Sequence, residues 1–369
     1  LVWVMLEITQ SNLITGLVAM CAYLPAIIFG GFSGVLADKY NRMKLMLISN
    51  FSQALVVLII PLLFYLNIKS AIVIGCVAFV RTAFGSLFPP AINAILPELI
   101  PKEKLVKINS LIATSAQFAY LIGPALAGIL LSVISIETLF LWDAISFVLS
   151  AIILMKISYS YSPGHTKHKS HLKELLSGLN YLKSNRSIGF ILTVTILNNI
   201  FIMGPAIVGL PILIKQFLKG TAAHFAFVEA GMALGMLSGS LFMFKLSTKY
   251  KAGNLLLFGL IWDGLTYALF FWVESVPMAI ILIIFHGFGI PIITVSRTTI
   301  LQKYTPNAYH GRLFSMVHLA VSGMTAISAA FVGILAEILP INTVFFMFGL
   351  GGMFTGLIGC LNKNIRIFK

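Results

Sequence analysis

The chain has 369 residues, of which 59% are hydrophobic and only 10% are charged. A soluble domain carries about 25% charged residues, so this composition excludes an ordinary soluble protein. The net charge of +14 does not indicate nucleic-acid binding, because the Lys and Arg residues lie in short gaps between apolar runs. Its three cysteines lack metal-ligand spacing, and the chain has no nucleotide-binding loop or nucleophile triad. We therefore expect no metal, no cofactor and no enzymatic activity.

Apolar runs of about 20 residues recur along the chain, and each is long enough to cross a membrane as a helix. The runs are continuous rather than alternating, which favours a helical bundle over a β-barrel. The run at 1–8 is too short to cross, and we read it as part of a first helix. Eleven complete spans are predicted near 13–36, 45–66, 71–96, 108–134, 139–156, 187–212, 225–246, 255–273, 278–303, 313–336 and 343–361.

The two halves of the chain repeat each other at a shift of 205 residues. At this shift, eight of the 20 residues of 121–140 recur in 326–345, including the pair Gly128 and Gly333. An offset of six spans preserves orientation, so the repeats are parallel and related by an axis along the membrane normal. We predict an N-terminal half of six helices at 1–156, a linker at 157–186 and a C-terminal half of six helices at 187–369.

The basic residues alternate between the two sides of the predicted bundle. Twenty of the 25 Lys and Arg residues fall in one set of alternate gaps and tails, and only Lys69, Lys215 and Lys219 fall in the other. The positive-inside rule then places both termini and the linker in the cytoplasm. We expect the membrane to be the plasma membrane. Within the linker, leucines from Leu172 to Leu182 share one helical face, which predicts an amphipathic helix on the inner membrane surface.

A short motif lies between the second and third spans. It resembles the loop signature of the major facilitator superfamily, and it comprises Gly34, Asp38, Lys39, Asn41, Arg42 and Lys44. The resemblance implies two six-helix bundles and a gating loop that stabilises one access state. We expect Asp38 to meet a neighbouring helix end or a cationic partner, and the basic residues to face the anionic inner leaflet. Asn41 replaces the usual glycine, and we expect it to keep a left-handed turn.

Other patterns resemble the branch of this superfamily that holds enterobactin and macrolide exporters. They are Gly178-x-x-Tyr181-Leu182, Asp143-Ala-Ile-Ser146-Phe147 and Gln302-x-x-x-Pro306-x-x-x-x-Gly311-Arg312. Gly123-Pro124-x-x-x-Gly128 resembles the antiporter motif of drug exporters. The alternative interpretation of that segment is a set of small residues that lets helices pack closely.

Charged residues inside spans are candidates for function because burying them in lipid is costly. Arg81 in the fourth helix and His286 in the tenth are aligned by the repeat, and His286 also fits a satisfied core residue. Glu229 and Glu7 are candidates to load a proton. We expect Glu229 to provide the counter-charge of Arg81.

The remaining acidic residues have simpler interpretations. Asp143 and Asp263 fall on helices that the resemblance places outside the cavity, and we expect structural bonds to backbone or hydroxyl groups. Glu137, Glu274 and Glu337 lie at outer loop edges and are expected to be solvated.

These observations predict a monomeric secondary transporter that exports amphipathic small molecules, such as a drug, a macrolide or a siderophore, by proton antiport. Its partners would be the small molecule, protons and the lipid bilayer. One alternative is a transporter of lysophospholipid or another lipid with the same fold. Another is a membrane sensor or assembly protein without transport, which the intact gating loop disfavours.

Overall fold

The computed structural model describes residues 1–68, 70–159 and 171–362, together with 365 and 368, and its regular elements in these ranges are helices. The first part of the chain contains α1 (Val2–Thr9), α2 (Asn12–Lys39), α3 (Arg42–Val57), α4 (Ile59–Tyr65), α5 (Ala71–Gly85), α6 (Phe88–Leu99), α7 (Lys102–Leu131) and α8 (Ile136–Met155). The second part contains α9 (His171–Ser184), α10 (Arg186–Gly204), α11 (Leu210–Ile212), α12 (Ala222–Lys249), α13 (Ala252–Ala268), α14 (Val276–Tyr304), α15 (Asn307–Ile338) and α16 (Ile341–Leu361).

The predicted spans match these helices in position. Within the described residues, ten helices are long and apolar enough to cross a membrane, and α7 contributes the shorter apolar stretch Ile122–Leu131. The interpretation as an all-helical, multi-pass membrane protein is therefore confirmed.

Prolines account for the interruptions within three spans. A proline removes one backbone donor and clashes with the carbonyl four residues earlier. Pro61 therefore separates α3 from α4 at Leu58, and Pro89 separates α5 from α6 at Ser86. After α10 the chain continues through wide π-helical turns at Pro205–Gly209 and Leu213–Phe217. This span consequently extends five residues beyond the predicted end at 212.

We group the helices by their place in the chain, with α1 to α8 as the N-terminal group and α10 to α16 as the C-terminal group. In the N-terminal group α2 packs against α5, and α3 packs against α5 and α8. In the C-terminal group α13 and α14 pack together, and α16 lies against α13 and α10. The extensive contacts between the groups are made by α2 with α15 and by α7 with α12.

The predicted amphipathic helix is present as α9. The side chains of 171–177, and residues 160–170 before it, lie outside the described set. Leu182 is buried against a cluster that includes Ile188 and Leu313, and the Tyr181 ring stacks on Tyr309 at 4.4 Å between centroids. The described part of α9 therefore packs on the C-terminal group, in addition to any contact with a membrane surface.

Candidate transport cleft and gate

The helices that join the two groups meet at one end of the bundle. We call it the closed end; it contains the starts of α2 and α12 and the ends of α7 and α15. The opposite end of these four helices lies beside the loops rich in Lys and Arg, and we call it the basic end.

The crossing of α2 with α15 is a backbone contact. A Cβ atom built on Gly16 would lie 2.7 Å from the Ala329 carbonyl oxygen and 2.7 Å from the Gly333 Cα. Glycine at both positions allows this approach, as small residues do where membrane helices cross. Gly30 lies on the same face of α2, four turns further along. A Cβ built there meets no described atom within 4 Å.

The crossing of α7 with α12 places Gly128 against side chains. A Cβ built on Gly128 would lie 3.2 Å from the Ala226 Cβ and 3.3 Å from the Phe227 ring. The repeat aligns Gly128 with Gly333, so both crossings use the same position of the repeat. In the antiporter-like segment, a Cβ on Gly123 meets no described atom within 4 Å, and Pro124 lies inside α7.

Exposure along one face of α12 rises from the closed end toward the basic end. Phe227, Leu234 and Leu241 are seven residues apart and share one face of α12. Their exposed fractions rise from 40% to 54% and then 69%. Together with the open space at Gly30 on α2, this gradient is what a separation of the two groups toward the basic end would produce.

Glu229 lies near the closed end, one turn from Phe225 on the same face of α12. The Phe225 ring stacks on Trp3 of α1 at 5.7 Å, and the Lys215 Nζ lies 5.5 Å from the Trp3 centroid. Glu229 is half-buried, and its carboxylate has no hydrogen-bond or ion-pair partner among the described residues. Glu7 of α1 is exposed, so the burial on which its predicted proton-loading role depended is missing.

Glu337, expected to be a solvated residue at a loop edge, is exposed and also joins the two groups. Its Oε2 accepts hydrogen bonds from the backbone N–H groups of Asn12 at 2.9 Å and Leu13 at 3.0 Å. The Asn12 side chain donates to the Ala336 carbonyl at 2.8 Å and accepts from Gln216 Nε2 at 2.8 Å. The prediction of a solvated side chain holds, but the sequence did not reveal this contact because the partner lies more than 300 residues away along the chain.

The predicted pairing of Arg81 with Glu229 is wrong. Arg81 Nη2 lies 3.4 Å from Asp143 Oδ2, and its guanidinium carbon lies 5.5 Å from the centroid of the Phe147 ring. Both partners belong to α8, so Arg81 is neutralised within the N-terminal group. Asp143 thus bonds a charged side chain instead of the expected backbone or hydroxyl group.

His286 belongs to a fully buried polar cluster inside the C-terminal group. Its Nδ1 lies 3.0 Å from Thr266 Oγ1 and 3.4 Å from Asp263 Oδ1, and its ring stacks on Tyr267 at 3.8 Å. The other Asp263 oxygen accepts from Asn198 Nδ2 at 3.0 Å. The cluster joins α10, α13 and α14, and this network supports the interpretation of His286 as a satisfied core residue.

The gating loop is described except for the side chain of Asp38. Arg42 contacts Glu98 at the end of α6 and donates from Nε to the Ala37 carbonyl at 3.2 Å. The Tyr159 hydroxyl donates to Glu98 at 2.6 Å. Burial, and then this hydrogen bond, raise the pKa of Tyr159, so the phenol remains a donor at neutral pH. Arg42 therefore ties three helices of its own group together, contrary to its expected orientation toward lipid.

Three further positions of the gating loop are described in part. Asn41 has φ −58° rather than a left-handed conformation, and its side chain caps α3 by accepting from the Lys44 N–H at 3.1 Å. The expected left-handed turn is therefore wrong, since Asn serves here as a helix cap. Gly34 lies within α2, and Lys39 is the last residue of that helix.

A small apolar cavity of about 150 Å³ lies between α2 and α5 and is lined in part by Phe29, Phe84 and Leu87. Ile27 faces α15, where it lies 3.6 Å from a Cβ built on Gly323. The lining residues occupy the opposite face of α2, so this cavity belongs to the N-terminal group and not to the cleft between the groups.

Comparison with known proteins identifies the family. The model of the transmembrane secretion effectors, a family of the major facilitator superfamily, matches residues 1–368. The chain belongs to this family. It is 24% identical over 360 residues to macrolide efflux protein A of Streptococcus pyogenes, covering 95% of this chain and 87% of that protein. It is 24% identical over 300 residues to the enterobactin exporter EntS of Escherichia coli O81, and this match covers 81% of this chain and 71% of that protein.

Solved structures show the same fold at low identity. The nucleoside transporter NupG superposes with a TM-score of 0.74 at 14% identity, covering 100% of this chain and 94% of that one. A D-xylose–proton symporter superposes with a TM-score of 0.74 at 13% identity, and the match covers 94% of this chain and 87% of that one. The chain is therefore a multi-pass transporter of the major facilitator superfamily and not an enzyme.

Proposed function

We propose that this major facilitator protein exports amphipathic small molecules by alternating access between its two helix groups, with protons as the counter-ion. The rise in exposure along α12 and the open space at Gly30, which we interpret as a separation of the groups toward the basic end, carry this proposal. If the basic end faces the cytoplasm, as the charge distribution predicts, the cleft opens toward the cytoplasm. An exporter loads its substrate from that side.

The relatives support export rather than uptake. Macrolide efflux protein A and the enterobactin exporter are both named for outward movement of a bulky organic molecule. The face of α12 that would line the proposed cleft carries Phe227, Leu234 and Leu241. These side chains would accommodate the apolar part of such a molecule. We infer a substrate that combines an apolar body with polar groups.

Glu229 is the proposed proton carrier. It lies on the face of α12 that meets α1, and it lacks a fixed partner among the described residues. A carboxyl group without a fixed partner can be neutralised by a proton more easily than one that is paired with a cation. Arg81 is compensated by Asp143 and is not needed as its counter-charge.

Transport into inverted membrane vesicles with an acidic lumen tests this proposal. The panel would contain a macrolide, a catecholate siderophore, an apolar cationic dye and a lysophospholipid. We expect proton-driven accumulation of at least one amphipathic compound. The Glu229→Gln variant should reduce that accumulation by more than about tenfold while downhill exchange continues, because the carboxamide cannot carry a proton.

Glu274→Gln is the matched control, since Glu274 is an exposed carboxylate in the loop before α14. It should transport like the unmodified protein. Accumulation that survives in Glu229→Gln would contradict the coupling role. Accumulation of lysophospholipid alone would replace the drug-exporter assignment with that of a lipid transporter, and the absence of any accumulation would contradict both.

A further inference from the structure

The closed end is held by a polar contact in addition to the packing of glycines. Glu337 at the end of α15 accepts two hydrogen bonds from the first turn of α2. The N–H groups at the start of a helix have no partner within the helix and carry partial positive charge. A carboxylate placed there forms charge-assisted bonds, which are stronger than those between neutral groups.

Asn12 completes the contact. Its side chain is 9% exposed, and both ends of its amide are bonded to the C-terminal group. One of these partners, Gln216, lies in the second π-helical segment after α10. Such wide turns occur frequently at functional sites. Separation of α2 from the C-terminal group would therefore break four hydrogen bonds together.

We propose that Glu337, Asn12 and Gln216 form a clasp that holds the closed end shut and must open for the other access state to form. In the shut state the backbone groups of α2 are satisfied by the C-terminal group. In the open state water replaces these partners. The clasp depends on the proposed function in one respect: in an exporter, its opening would be the step that releases the substrate.

Cysteine labelling tests the clasp without any substrate. Ala19 of α2 is fully buried in the cluster that contains Ala329 of α15. In a background without the native cysteines, Ala19→Cys should react slowly with a water-soluble maleimide. Adding Glu337→Gln should raise the labelling rate, and Glu337→Ala should raise it by roughly tenfold, since charge-assisted bonds are lost. Glu274→Gln, an exposed change on the same side, should leave the rate unchanged.

A pair of substitutions that moves the negative charge from one residue to the other distinguishes opening of the clasp from misfolding. Asn12→Asp places a second carboxylate beside Glu337 and should open the clasp by repulsion between like charges. Adding Glu337→Gln to Asn12→Asp should then slow labelling again, which misfolding would not do. Equal labelling in all variants, or an Asn12→Asp effect that Glu337→Gln leaves unaltered, would overturn the clasp. Because labelling needs no substrate, that result would leave the export proposal to be judged by vesicle transport.

Discussion

The two crossings between the helix groups occupy equivalent places in the repeat, yet they are built differently. On α15, Gly333 meets the backbone of α2, and Glu337 one turn later bonds the start of that helix. On α7, the three atoms nearest a Cβ built on Gly128 belong to side chains of α12. The residue equivalent to Glu337 is Ser132, whose hydroxyl donates to the Ile129 carbonyl within its own helix at 2.6 Å.

The starts of the two partner helices show the same contrast. The start of α12 is capped by its own Thr221, in a reciprocal arrangement with His224. The start of α2 is capped by its own Ser11 and also by Glu337 from the other group. The repeat therefore supplies two similar crossings, but among the described side chains it is the crossing of α2 with α15 that carries bonds which must break when the groups move. We infer that the α7–α12 crossing can slide while the α2–α15 crossing releases.

Matched alanine substitutions at the two glycines should show the largest difference. Gly16→Ala places a methyl group 2.7 Å from backbone atoms that cannot yield locally, so the closed end must widen. Overpacking of this kind costs about 1–3 kcal/mol, and we expect export to fall by roughly tenfold. Gly128→Ala meets side chains at 3.2 Å or more and should change export by less than about twofold. Equal effects of the two substitutions in vesicle transport would remove the distinction between the crossings.

Removal of the helix caps should give a smaller difference. Thr221→Ala removes the reciprocal cap of α12 and should cost about 1 kcal/mol of stability. Ser11→Ala should cost less, because Glu337 still holds two N–H groups of the first turn of α2. Thermal unfolding in detergent would compare the two variants. The account also requires Ser11→Ala to become more costly in a Glu337→Ala background, and additive effects would contradict the shared capping.

The helices could be predicted well from sequence because long apolar runs and their basic flanks follow directly from the membrane environment. The π-helical extension to Phe217 was missed because Lys215 and Gln216 have the polarity of a loop. Their side chains are instead used at the closed end, where Lys215 lies over Trp3 and Gln216 bonds Asn12. Local polarity alone cannot distinguish a loop from a helical segment whose polar side chains contact a distant helix.

The candidate site was predicted only in part. The repeat identified Gly128 and Gly333, because both crossings use equivalent positions. The partners of Arg81 and the role of Glu337 depend on which distant helix lies opposite, and no periodicity of one sequence contains that information. His286 and Asp263 illustrate the same limit, since each was placed correctly inside a helix while their mutual contact was not foreseen.

Distances measured at both ends of the bundle test the central claim most directly. One doubly spin-labelled protein would carry labels at Leu17 of α2 and Ile338 of α15, which are exposed at the closed end. A second would carry labels at Tyr40 and Tyr250, the exposed caps of α2 and α12 at the basic end. The account predicts that conditions of turnover lengthen the first distance and shorten the second. Two distances that change in the same direction, or that stay fixed in a protein that transports, would contradict it.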